Sequence, residues 1–144
     1  MRLRPRPIVA LVLATLALSA CAPQREPLDT AIPAAFLASD LGITAAEAGT
    51  SMDGFSLNVT ASAEFDPDAA APSADDLRTM LRLVVENTPQ NNVNTLEIYA
   101  SVGPYEGGNA VDFGALGVEL GFDDDNPLSG FSAPWDDVVE FLDQ

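Results

Sequence analysis

Phe55-Ser56-Leu57-Asn58-Val59-Thr60-Ala61-Ser62-Ala63-Glu64-Phe65, entered through Asp53-Gly54, alternates apolar and polar side chains without a break. Side chains of an extended strand point to opposite faces in turn, so this strict period of two reads as a strand with one buried face. Asp-Gly between two extended runs favours a type I′ hairpin turn, because both central residues need positive φ. That hairpin sets Met52 opposite Phe55, Thr50 opposite Leu57, Ala48 opposite Val59 and Ala46 opposite Ala61. Beyond Met52 the first strand brings only small residues to the buried face, which lets a helix pack close above it. The outer face, Ser56, Asn58, Thr60, Ser62 and Glu64, reads first as a solvated sheet surface and second as a binding surface. The edge of the sheet offers a partner strand a place to add.

Outward from the hairpin, the spacing predicts a helix that starts at Ser73. Ser73 can cap it, with Asp76 three residues on and Asp75 and Asp76 in the favourable first turn. Leu77, Met80, Leu81 and Val84 form one apolar stripe, and Pro89 ends the helix. Arg78 follows Asp75 by three and Arg82 precedes Glu86 by four, so both arginines have structural partners within the helix. Leu96, Ile98, Ala100 and Val102 alternate as a further strand. Val111 to Phe122 fits either a strand or a helix; an Asp112 cap and a Gly121-Phe122 Schellman ending favour helix, although Gly114 and Gly117 each cost about 1 kcal/mol there. A last helix is expected with Ser132 as cap, Pro134 in its first turn, and Trp135, Val138, Val139 and Leu142 on its apolar face. A short helix from Ala31 to Ser39, ended near Gly42, precedes the hairpin. Together these predict an α+β fold, a small two-layer sandwich: a mostly antiparallel sheet of three to four strands with helices packed on one face.

The N-terminus is of another kind. Arg2, Arg4 and Arg6 precede the apolar run Ile8 to Leu18, the charged and hydrophobic regions of a secretion signal. The run is about half the length of a bilayer-spanning helix. It closes on Leu18-Ser19-Ala20-Cys21, which resembles the lipobox of bacterial lipoproteins at all four positions. The resemblance covers only these first 21 residues. It implies cleavage after Ala20, a thioether-linked diacylglycerol on Cys21 and acylation of the new amino group. The expected organisation is then a signal peptide over 1–20, the lipidated cysteine and a short tether over 21–29, and one acidic α+β domain over 30–144. The expected location is the extracytoplasmic face of the cell membrane. Since Ala22 is not the aspartate associated with inner-membrane retention, the outer membrane is open as a destination in a Gram-negative cell.

After cleavage, three arginines (Arg25, Arg78, Arg82) stand against 22 acidic residues, a side-chain balance of −19, with no lysine and no histidine. Such a chain has no electrostatic footprint for nucleic acid and is repelled by anionic lipid, so its membrane contact runs through the lipid on Cys21. Without histidine, lysine or a second cysteine, Ser-His-Asp triads, HExxH sites, Schiff bases and thiol nucleophiles are excluded. No P-loop, GxGxxG or Gly-x-Ser-x-Gly motif appears. No catalytic residue and no cofactor is expected.

Two acidic clusters remain, Asp66-Pro67-Asp68 and Asp123-Asp124-Asp125-Asn126. In the second, Asp123, Asp125 and Asn126 carry oxygens that suit calcium, but Pro127 and Leu128 break the EF-hand order, and the cluster reads first as an acidic turn. Tyr99, Tyr105 and Trp135 read as core or rim residues before a sugar-stacking platform. The expectation is a lipid-anchored envelope protein with a non-catalytic domain that acts by contact with an envelope protein partner. The alternative is a lipoprotein that binds a small ligand or a cation such as calcium.

Overall fold

The computed structural model describes residues 27–89, 92–123 and 129–144. The elements run α1 (Leu28–Leu37), β1 (Ile43–Asp53), β2 (Ser56–Phe65), α2 (Ala74–Glu86), β3 (Val93–Val102), α3 (Phe113–Leu120), β4 (Phe131–Pro134) and α4 (Trp135–Leu142). The four strands lie side by side in chain order, β1–β2–β3–β4. The outer pairs are antiparallel and the central β2–β3 pair is parallel. The sheet is therefore mixed: α2 carries the chain from the end of β2 back to the start of β3, as a parallel pair requires. All four helices contribute to one core against a single sheet face, giving the α+β two-layer sandwich.

That core is the apolar half of each alternation. Val59, Ala61, Ala63 and Phe65 of β2 meet Leu96 and Ile98 of β3, and over them sit Ile32 and Phe36 of α1, with Leu77, Met80, Leu81 and Val84 of α2. The capping box of α2 forms as its residues predict: Ser73 Oγ accepts from the Asp76 amide at 3.3 Å, while the Ser73 amide donates to Asp76 Oδ2 at 2.7 Å. The helical reading of 113–120 holds. Asp112 caps the first turn by accepting from the Ala115 amide at 3.0 Å, and Gly121 at φ 97° closes a Schellman ending with Phe122 N–H on Gly117 O. Gly117 is needed because α3 crosses β4 closely: a Cβ there would lie 2.9 Å from Cδ2 of Phe131. Phe131 packs edge-on against Phe122 at 5.0 Å, and Phe122 against Phe141 at 4.9 Å, joining α3, β4 and α4.

Several expectations need correction. The turn sits one residue later than the Asp-Gly pattern implies: Asp53 pairs with Ser56, Met52 with Leu57 and Thr50 with Val59. Positive φ falls on Gly54 (63°) alone, as in a type II′ turn, so the turn residues are Gly54 and Phe55. Phe55 is consequently 97% exposed at the tip instead of opposite Met52 on the buried face. α1 begins at Leu28, which is buried, three residues before the helix expected from Ala31. Ser132 is not a helix cap: it lies in β4 opposite Glu97, and Pro134 takes the N-cap position of α4. Of the two arginine pairings, Arg78–Asp75 forms at 3.0 Å and is the one ion pair among the described residues. The Arg78 guanidinium also lies 5.3 Å from the Phe141 ring centre, a cation–π contact that links α2 to α4. No helix among the described residues is long and apolar enough to cross a membrane.

Candidate functional site

Helices cover one side of the sheet, which leaves the polar half of each alternation on the other. Register sets these side chains in rows across the strands. Ser51, Asn58, Thr95 and Pro134 form one row, and Gly49, Thr60, Glu97 and Ser132 the next. Glu47, Ser62 and Tyr99 follow, then Ala45, Glu64, Ser101 and, through an isolated bridge, Ala110. Glu97 Oε2 accepts from Thr60 Oγ1 at 3.5 Å and from the Tyr99 hydroxyl at 3.4 Å, which lays the tyrosine ring along its strand. Asn58 Oδ1 is buried in its row with no donor.

The loop after β3 builds a wall beside this platform. Asn109 staples it, donating from Nδ2 to the carbonyls of Val102 (2.9 Å) and Pro104 (2.7 Å) and accepting at Oδ1 from the Glu106 amide (3.0 Å). Ser101, buried, donates to Gly103 O at 2.7 Å and fixes the start of the loop. The loop holds up Tyr105, 69% exposed. Between the loop and the sheet lies an open cleft of about 510 Å³, lined by Ala45, Glu47, Ser62, Glu64, Tyr99, Ser101, Tyr105, Val111 and Ser129. Ser129 has φ 61°, a conformation non-glycine residues seldom adopt.

Among the described residues, no basic side chain compensates the charge of this cleft. Glu47 stands opposite Ser62, two residues from Glu64, so the two carboxylates form a diagonal pair with Cβ atoms about 7 Å apart. Arg78 and Arg82 are on α2, on the helix-covered side of the sheet, and neither reaches the cleft. Small side chains make the floor, two tyrosines and two glutamates the walls. Nothing in that set pairs a nucleophile with a base. What it can do is hold a positively charged or hydrogen-bond-donating group.

The sequence-derived candidates fare differently. Cys21, Asp125 and Asn126 lie outside the described residues. Asp123, exposed, borders a second cleft with Asp137 and Glu140, and among the described residues no three metal-binding side chains converge. Asp66 and Asp68 form a local turn, with Asp66 Oδ1 accepting from the Asp68 amide at 2.8 Å. Tyr99 and Tyr105 are rim residues of the cleft, whereas Trp135 packs half-buried against the core. Sequence reading placed Ser62 and Glu64 on the outer face but did not bring them together with Glu47 and Tyr105. Period two could have supplied Glu47; nothing local could have supplied Tyr105. The chain matches no protein-family model, and comparison with curated proteins and with solved structures gives no match.

Proposed function

We propose that this chain is a lipid-anchored protein of the cell envelope whose domain binds a protein partner and performs no catalysis. One observation carries the binding half of this reading: a four-stranded sheet with helices on one side presents a polar, cleft-bearing platform on the other. Antiparallel and mixed sheets tolerate such a solvated face without a role. Here, however, a stapled loop raises Tyr105 over it, and two glutamates meet no basic side chain among the described residues. The anchoring half rests on Cys21 and its lipobox. With α1 starting at Leu28, the six residues 22–27 reach at most about 20 Å, so an anchored domain works next to its membrane.

Metabolic labelling with a fatty-acid analogue, followed by mild-detergent pull-down, tests both halves. Wild type takes the label and retains a stoichiometric envelope partner; Cys21→Ala loses the label. Label retained by Cys21→Ala removes the anchor, and a wild-type pull-down without a stoichiometric partner removes the contact role.

The cleft volume supports a second reading, a small-ligand lipoprotein, because about 300–1,000 Å³ is the usual range of ligand sites. Its calcium form is tested by calorimetric titration; no heat at millimolar calcium rejects it.

A further inference from the structure

We infer that the cleft receives the guanidinium or ammonium groups of a basic, extended segment of the protein partner, an inference that rests on the binding reading above. Charge argues for it first. Glu47 and Glu64 share one face of adjacent strands, and among the described residues both arginines lie across the sheet, so a basic partner supplies a counter-charge that the described residues do not. Aromatic rings argue for it next. Tyr99 and Tyr105 border the same space, and a cation beside a tyrosine face is attracted to the ring quadrupole while its carboxylate partners hold the charge. Spacing then selects an extended chain. Alternate side chains of a strand recur at about 7 Å, which matches the diagonal separation of the two glutamates. Beyond the cleft, Ser62, Thr60 and Asn58 supply a polar track along β2. A bare metal ion is the poorer occupant, since it demands several converging oxygens and no group of three such ligands exists among the described residues.

The test uses the lipidated protein in detergent micelles and a fluorescent eight-residue peptide of alternating arginine and serine, read by anisotropy. A peptide with glutamate in place of arginine and free spermine are the comparison probes. The arginine peptide binds, the glutamate peptide does not, and spermine competes only at concentrations far above the peptide. Glu47→Gln/Glu64→Gln weakens binding about tenfold, and Tyr105→Ala about threefold, as expected for two ion pairs and one cation–π contact at a partly exposed site. Asp136→Asn/Asp137→Asn removes the same charge from α4 and changes binding less than about twofold. Equal losses from the two double variants show attraction to net charge alone and overturn the inference, as does spermine binding as tightly as the peptide. Absence of binding by the arginine peptide overturns it too. A natural partner recovered equally by wild type and Glu47→Gln/Glu64→Gln refutes this inference and leaves the contact function standing; no partner at all refutes the function itself.

Discussion

Replacing Gly117 by alanine should destabilise the domain even though it improves the helix. On propensity alone, Gly→Ala inside α3 contributes about 1 kcal/mol. Against it stands the close crossing of β4: the new methyl would sit 2.9 Å from Cδ2 and 3.2 Å from Cε2 of Phe131, where carbon pairs prefer about 3.5–4.0 Å. Phe131 cannot step aside. It is 2% exposed, its backbone pairs with Ile98, and its ring is held edge-on by Phe122. Forcing a methyl into such a place costs about 1–3 kcal/mol, so the net loss is about 1 kcal/mol. The same substitution beside Phe131→Leu, where the ring has gone, should instead stabilise by up to about 1 kcal/mol, a reversal of sign with a coupling of about 2 kcal/mol. Urea unfolding followed by Trp135 fluorescence, on the chain from Ala22 onward, reads the four members of the cycle as midpoint shifts of about 0.5 M. If Gly117→Ala stabilises with Phe131 present, or shifts both backgrounds alike, the close-crossing argument is wrong.

Ser73→Ala removes both hydroxyl bonds of the α2 capping box and should cost about 1 kcal/mol, with faster amide exchange confined first to Ala74–Leu77. Phe55→Ser, at a turn tip 97% exposed, should leave stability within about 0.5 kcal/mol by the same unfolding assay; a loss of 2 kcal/mol or more would restore the register that pairs Phe55 with Met52.

What the sequence made legible was what is local. α2 could be read from Ser73 to Val84 because its cap, its stripe and its Asp75–Arg78 pair all lie within one helix. The hairpin was legible in its faces but not its turn. Sliding the turn by one residue changes every partner while keeping each side chain on its face, so alternation cannot separate the two registers. β4 is four residues long, too short for a period, and Ser132 inside it carries the same chemistry as a helix cap. A mostly antiparallel sheet was legible, but not which pair runs parallel: alternation reports which face is buried, not which way a neighbour runs. The cleft was illegible because it joins Glu47, Glu64, Tyr99 and Tyr105 from three strands and a loop. Only register and the Asn109 staple bring these together.

The hairpin edge has a mechanical consequence. α1 is the first element of the domain, and it leads directly into β1, the outermost strand, whose Ile43 end pairs with Phe65. Tension from the N-terminal side therefore loads β1 from one end of an antiparallel ladder, and its bonds would open one after another like a zipper instead of sharing the load in shear. The parallel pair at the centre, β2 with β3, lies off that path. A domain held from its N-terminus while its sheet grips another protein would lose α1 and then β1, and with it Glu47 and one wall of the cleft, while β2, β3 and α2 stay folded. Force from the N-terminal side would thus act as a release.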